Sequence, residues 1–346
     1  MKKLFLFLLI SVIAAGSYIA WIFLGPSTAF SEKSKFLYIK SNNADKASIL
    51  STLKKQNFIK HTNYFEWLAG RMNYWQSIKA GKYEIKKNAS ILSIVRQLRN
   101  GHQTPVNLTI TKLRTKSDFA KLTARKLEFD STAMMNFLNN ADTLNKYGLT
   151  PETVMTAVLP DTYTYFWNTT PQKVFKKIID ASEKFWTEER KQKANQHGLT
   201  EQQVYILASI IEEETNAKSD KPNIASVYLN RIQKGMPLQA DPTVKFALQD
   251  FGLKRIYQKH LSIASPYNTY QNKGLPPGPV STPSKSTIDS VLNSPKTDYL
   301  YFVANSDFSG SHIFTTNYND HLKYAKDYQQ ALNKQDSIRK AKQAEK

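Results

Sequence analysis

The sequence predicts an α+β protein: an N-terminal transmembrane helix, a small β-α-α-β domain, and a larger, mostly helical domain carrying a β-hairpin. Three patterns in the 346 residues predict it. The run from Leu4 to Phe23 is apolar apart from Ser11, Ser17 and Gly16. Two short apolar and aromatic segments, Phe36 to Lys40 and Lys82 to Ile85, bracket two stretches of helical periodicity. Beyond them, helical patterns dominate until two strand-like runs, Tyr299 to Ala304 and His312 to Thr316, flank a turn at Ser306 to Gly310.

The first run is about 20 residues long, which suits the hydrocarbon thickness of a bilayer. Lys2 and Lys3 precede it, so the positive-inside rule places the N-terminus in the cytoplasm and everything after Gly25 outside. A cleaved signal peptide is the competing reading, because small residues follow at Ser27-Thr28-Ala29. Its apolar core usually spans only about 7 to 15 residues, so length favours a retained anchor. The expected organisation is a cytoplasmic tip over 1–3, an anchor over 4–24, a linker over 25–35, the small domain over 36–105, the large domain over 106–337 and a basic tail over 338–346.

In the small domain, Ala44 to Gln56 and Asn63 to Tyr74 read as the two helices. Asn88 is expected to cap a further helix over Ala89 to Arg99, with Gly101 as its stop. Val106 to Lys112 reads as a strand, followed by helices over Ser117 to Lys126, Ser131 to Asn139 and Pro171 to Asn195. Between the last two, Leu159 to Trp167 reads as an aromatic loop whose Asp161 and Tyr163 are cleft candidates. A helix over Asn223 to Lys234, polar turn-forming segments at Gln239 to Thr243 and Tyr267 to Thr269, a Pro- and Gly-rich loop over Asn272 to Pro283 and a closing helix over Asn319 to Ser337 complete the chain. No internal repeat is evident.

Composition narrows the chemistry. With no cysteine, disulfides, thiolate metal sites, a cysteine nucleophile and a lipidated N-terminal cysteine are excluded. The formal net charge of +20 suits contact with polyanions. The expected location outside the cytoplasm favours the envelope polymer, with its peptide carboxylates, over nucleic acid. The lysine-rich tail from Lys334 reads as a solvated face. The histidines show no His-Glu-x-x-His spacing, no Gly-x-Ser-x-Gly elbow occurs and no glycine-rich phosphate loop is present. Zinc hydrolysis, serine catalysis and nucleotide cofactors are therefore not expected.

The chemistry-bearing candidate is Glu214, last of three consecutive glutamates in Ile211-Glu212-Glu213-Glu214-Thr215. Glu201 to Ala217 reads as a helix, because Thr200 and Gln203 have capping-box spacing and Val204, Leu207, Ala208 and Ile211 recur at three and four residues. At about 100° per residue, Glu214 falls between Leu207 and Ile210, Glu212 points to the polar side, and Glu213 lies at the boundary. A carboxyl group in an apolar setting holds its proton to higher pH and can act as a general acid near neutrality. The competing reading is a solvated charge run, or an ion pair with one of the many lysines.

The flanking blocks weigh against that alternative. Ile224-Ala225-Ser226-Val227-Tyr228-Leu229-Asn230-Arg231 follows Glu214-Thr215, then Gly235-Met236-Pro237-Leu238-Gln239-Ala240-Asp241-Pro242-Thr243-Val244. Further on come Pro266-Tyr267-Asn268-Thr269-Tyr270, Gly274-Leu275-Pro276-Pro277-Gly278-Pro279-Val280-Ser281-Thr282-Pro283 and Tyr299-Leu300-Tyr301-Phe302-Val303-Ala304. In order and spacing, from about Phe36 to Tyr328, the chain resembles the MltG (YceG-like) family of endolytic murein transglycosylases, inner-membrane enzymes that cut peptidoglycan glycan strands.

The resemblance implies that the small domain is LysM-like, that 106–337 is the transglycosylase domain, and that this domain lies on the periplasmic side of a single-pass anchor in the inner membrane. It implies that Glu214, immediately before the threonine of Glu-x-Glu-Thr, is catalytic. Glu212 matches the first glutamate of that motif, expected to orient Arg231 or cap a neighbouring helix. Glu213 stands where relatives usually carry lysine and is assigned no role. Gln239, Asp241, Thr243, Tyr267 and Asn268 are expected to position the substrate, with Asp161 as a further cleft residue. The implied reaction breaks the bond between MurNAc and GlcNAc and leaves a 1,6-anhydro end without water, using no cofactor and no metal. It implies a role in ending growing strands beside peptidoglycan synthases. Two rivals stay open at this point: a hydrolase with Asp241 as second carboxylate, and a noncatalytic, membrane-tethered peptidoglycan-binding scaffold.

Overall fold

A computed structural model of the chain describes residues 2–253 and 255–344. The apolar run forms one helix, α1 (Lys2–Leu24), whose 23 residues span roughly 35 Å. An 18-residue window of it has a mean hydropathy of 2.2 and no buried residue, so it is long and apolar enough to cross a membrane. The remainder packs into two compact units. One comprises the chain up to Leu108 with Thr123–Asp130 and Thr164–Pro171; the other comprises Thr109–Leu122, Ser131–Tyr163 and the chain from Gln172 onward.

In the first unit, β1 (Ser34–Ile39) pairs antiparallel with β2 (Gly81–Lys86), with Leu37 opposite Tyr83 and Phe36 opposite Glu84. The strand period sends Leu37, Ile39, Tyr83 and Ile85 inward, where they are buried with residues of α2 (Lys46–Lys55), α3 (Thr62–Arg71) and α4 (Ile91–Asn100). Phe36 and Tyr38 point outward, and the Lys82 ammonium sits 3.9 Å from the Phe36 ring centroid. The expected cap of α4 is corrected. Asn88 takes a left-handed φ of 61°, and the Ser90 side chain accepts from the Ser93 amide instead. Gly101, at φ 71°, ends that helix as expected.

In the rest of the chain, β3 (Val106–Ile110) pairs with β4 (Asp161–Tyr165), so the segment read as an aromatic loop contains a strand. Its Tyr163 is buried and donates to the Leu159 carbonyl, which makes it a packing residue. Helices α5 (Lys116–Ala124), α6 (Ser131–Leu138) and α7 (Ala141–Asn145) lie between those strands in sequence. The helix expected over Pro171 to Asn195 is two, α8 (Pro171–Phe185) and α9 (Glu188–Gln196). Thr187 takes an extended conformation between them, and its side chain caps α9 at the Arg190 amide.

The core of the second unit is built around α10 (Glu201–Glu214), entered through the expected capping box of Thr200 and Gln203. Every residue from Val204 to Ile211 is buried, so this helix has no solvated face over that stretch. Around it lie α11 (Lys221–Gln233), α12 (Asp241–Leu248) and α14 (Lys285–Leu292), with the short α13 (Gln258–Leu261) in a connection. The expected hairpin forms from β5 (Tyr301–Ala304) and β6 (His312–Thr315), with Tyr301 opposite Thr315. The closing helix α15 (Tyr318–Ala344) continues through 338–344, where a separate tail was expected; residues 345 and 346 lie outside the described residues.

Candidate active site

Glu214 is the last residue of α10, which stops three residues earlier than expected. Thr215 turns to φ −146° and ψ 147°, an extended geometry that suits a β-branched residue and ends the helical ladder. The carboxyl group of Glu214 therefore sits at the negative end of the helix dipole, where ionisation is disfavoured. Leu207 and Ile210, between which it was projected, are fully buried. The Tyr228 hydroxyl, buried on α11, donates to Glu214 Oε1 at 2.6 Å.

Burial pushes the Glu214 pKa from an ordinary 4.5 up to about 7. The hydrogen bond from Tyr228 pulls it down, the charge of Asp241 pushes it up, and Lys245 and Arg231 pull it down. The carboxyl lies in a desolvated setting, while the residue as a whole keeps a partly exposed surface. Burial raises the Tyr228 phenol well above its ordinary range, which keeps it a donor. A neutral Glu214 that accepts through Oε1 carries its own proton on Oε2.

The neighbouring glutamates are sorted to different partners by the 100° step of the helix. Glu212, projected to the polar side, does not face solvent. Its carboxylate pairs with the buried Lys221 at 2.8 Å and accepts from Ser284 and Thr287 in the first turn of α14. Of the two expected roles, contact with the start of a neighbouring helix is present. Arg231 is held elsewhere, by the carbonyls of Leu238 and Leu300, each at 2.7 Å. Glu213 is bridged by Lys112 at 2.7 Å and Arg114 at 3.0 Å.

Asp241 and Thr243 lie in the first turn of α12 rather than in a loop, with Pro242 between them where its missing N–H costs nothing. The Tyr270 hydroxyl donates to Asp241 Oδ1 at 2.7 Å. Thr243 and Asn268 are fully buried, which corrects the expectation that they offer polar atoms to a ligand. The Thr243 hydroxyl donates to the Ala240 carbonyl and lies 2.8 Å from the Thr269 hydroxyl. The Asn268 amide donates to the carbonyls of Leu261 and Ile263 and accepts from the Tyr270 amide. Both tie loops to helices and so hold Asp241 and Tyr270 in place.

Gln239 is exposed at φ 53° and Tyr267 packs on Phe246 with ring centroids 4.6 Å apart. Asp161 is half exposed and paired with Lys285 at 2.6 Å, away from the carboxyl of Glu214 in the hydrogen-bonding pattern. Sequence reasoning gave no role to Tyr228 or Tyr270. For Tyr228 the available signal was a tyrosine among the apolar residues of the helix expected over Asn223 to Lys234, because a buried hydroxyl needs an acceptor. Among the described residues, no group of three or more His, Cys, Asp or Glu side chains could hold a metal ion.

The chain matches the YceG-like family over residues 37–327, a span that contains every residue of this site. It belongs to that family. An endolytic murein transglycosylase of Bacillus subtilis (strain 168) is 31% identical over 302 residues, covering 82% of this chain and 81% of the relative. One of Streptococcus pneumoniae (strain R6) is 29% identical, but this chain spans only about half of it, 54%. A crystal structure of a YceG-like protein from Listeria monocytogenes superposes with a TM-score of 0.56 at 27% identity, covering 85% of this chain and 99% of that one. This YceG-like chain thus resembles the bacillary and streptococcal proteins in sequence, and the Listeria protein in fold, along most of its length.

Proposed function

We propose that this YceG-like chain is a peptidoglycan lytic transglycosylase in which Glu214 is the single proton carrier. The carrying observation is a carboxyl group, on a partly exposed residue, raised by burial to a pKa of about 7 and oriented by a buried tyrosine. The names of its bacillary and streptococcal relatives supply the substrate class.

The reaction begins with Glu214 protonated. It gives the Oε2 proton to the glycosidic oxygen between MurNAc and GlcNAc, and the C1–O bond breaks through an oxocarbenium-like transition state. The carboxylate left behind takes the proton of the MurNAc C6 hydroxyl as that oxygen bonds to C1. A 1,6-anhydro end forms, the leaving sugar keeps the first proton, and Glu214 is reset without water. A pKa near neutrality serves both halves. Asp241, held by Tyr270 in the first turn of α12, supplies a fixed negative charge that favours a cationic ring and raises the acid's pKa. That arrangement suits a stabiliser more than a second proton carrier. Gln239 and Tyr267 line the approach.

On the same reading, α1 is a retained single-pass anchor with the enzyme on its periplasmic side, 36–105 is a LysM-like domain, and the chain ends strands beside peptidoglycan synthases. Mass spectrometry of muropeptides after strand digestion tests the reaction. Anhydro-MurNAc ends are expected; reducing MurNAc ends would assign a hydrolase with Asp241 as its second carboxylate.

A further inference from the structure

A cavity beside α12, the helix that carries Asp241, has no role in the proton transfers just described. It encloses about 300 Å³ and is lined by Arg114, Lys116, Glu152, Met155, Phe246 and Tyr267, among others. Phe246, on α12, and Tyr267, in the loop that also carries Tyr270, place it next to the elements that hold Asp241.

The walls are chemically divided. Arg114 is fixed between Glu213 and the Phe251 ring, 5.1 Å from its centroid. Lys116 donates to a neutral acceptor, Asn139 Oδ1, at 2.6 Å and forms no ion pair among the described residues. Burial lowers the Lys116 pKa, and the nearby charge of Glu152 offsets only part of that shift. Glu152, hydrogen-bonded by Thr150, brings a carboxylate to the same cavity. The tilted, closely packed rings of Tyr267 and Phe246 provide an apolar surface. The wall is rigid at Gly278, where an added Cβ would lie 2.2 Å from the Glu152 carbonyl oxygen and 2.8 Å from the Tyr267 hydroxyl. The backbone N–H groups of Arg114 and Thr115 are already taken by Asp118, so side chains must recognise any anion.

We propose that this cavity binds the peptide substituent of the glycan strand, with a peptide carboxylate at Lys116 and Arg114 and a peptide ammonium or amide N–H at Glu152. The identity of the strand rests on the proposed function; peptide binding itself does not require cleavage. A peptide bearing both acidic and basic groups matches both signs of charge in the cavity, whereas a stripped strand keeps only the lactyl carboxylate of its muramic acid and offers no cation to Glu152. The site makes the enzyme selective for peptide-bearing over bare strands.

The test uses the full chain in detergent micelles and two readouts. A synthetic lactoyl-Ala-γ-Glu-Lys tripeptide is titrated by calorimetry, and kcat/KM is measured on peptide-bearing strands and on strands stripped by an amidase. Loss of one charge-assisted hydrogen bond is worth about tenfold, so Lys116→Glu should weaken tripeptide binding by about that factor or more. It should lower kcat/KM on peptide-bearing strands by more than on bare strands, which keep only a lactyl carboxylate, while Lys116→Arg restores both. Glu152→Gln should weaken the tripeptide by removing the partner of its ammonium group while leaving bare strands unchanged. Tripeptide binding that is undetectable in the wild type, or equal in the wild type and in folded Lys116→Glu and Glu152→Gln, overturns the proposal. If no strand is cleaved by any form, the proposed function fails and the titration alone decides the cavity.

Discussion

Tyr228 holds Glu214 from the interior side: its hydroxyl, on a fully enclosed ring, lies 2.6 Å from Oε1. One carboxyl oxygen is thereby occupied and the other left for a ligand. The acid is oriented by Tyr228 and its pKa is raised by burial, both supplied by elements that no substrate needs to assemble.

Glu214→Gln should abolish formation of anhydro ends, a loss of about two to four orders of magnitude for a missing general acid. It should also change stability in a definite direction. A carboxyl raised from 4.5 to about 7 binds more protons folded than unfolded, so the wild type loses stability as pH rises through that window. The upper bound is about 3 kcal/mol at about 1.4 kcal/mol per pKa unit, reduced by the residue's remaining exposure. Thermal melts at pH 5 and pH 8 should show a smaller drop for the variant than for the wild type. A Glu214→Gln protein that still releases anhydro-muropeptides would sink the assignment.

The alkaline limb of the rate profile should fall near pH 7, because the reaction starts from protonated Glu214. Tyr228→Phe removes a hydrogen bond that lowers this pKa, so the limb should move to higher pH. Asp241→Asn removes a charge that raises it, so the limb should move to lower pH. Asp241→Asn should also cost less activity at its optimum than Glu214→Gln. Initial rates of anhydro-end release across pH read both; limbs that stay fixed in the two variants would refute the electrostatic account.

Glu212→Gln should destabilise without inactivating. It leaves Lys221, only 7% exposed, without its carboxylate, and breaking a buried pair costs about 3 kcal/mol. Denaturant titration should show the loss, and activity per folded molecule should stay near that of the wild type. A variant as stable as the wild type but inactive would move Glu212 into the chemistry.

N-terminal sequencing of the membrane fraction should recover the chain from its start, since the apolar helix is long enough to remain as an anchor. A mature chain beginning near Phe30 would show that α1 is removed.

Much of this was legible in the sequence because it rests on local rules. The helical projection placed Glu214 against apolar residues, the capping box of Thr200 and Gln203 marked the start of α10, and the ordered blocks pointed to the family. What was missed depends on contacts between distant residues. The helix α12 was hidden because Asp241 and Pro242 signal a turn as readily as a first helical turn. The break between α8 and α9 is marked only by Thr187, whose capping role shows once Arg190 folds back onto it. Thr243 and Asn268 were taken for ligand-facing residues because polarity in a loop does not reveal whether the partner is a substrate or a backbone carbonyl. Tyr228 and Tyr270 were silent because each finds its carboxylate on another element.

Three consecutive glutamates at the end of α10 reach three different parts of the fold: α14 and Lys221, the strand exit at Lys112 and Arg114, and Tyr228. The last turn of this helix is therefore a key cut on three sides. Inserting or deleting one residue between Thr200 and Ile211 would rotate all three teeth by about 100° together, leaving each carboxylate facing another's lock. Length changes can accumulate in the surrounding loops, but within this helix the residue count itself is constrained.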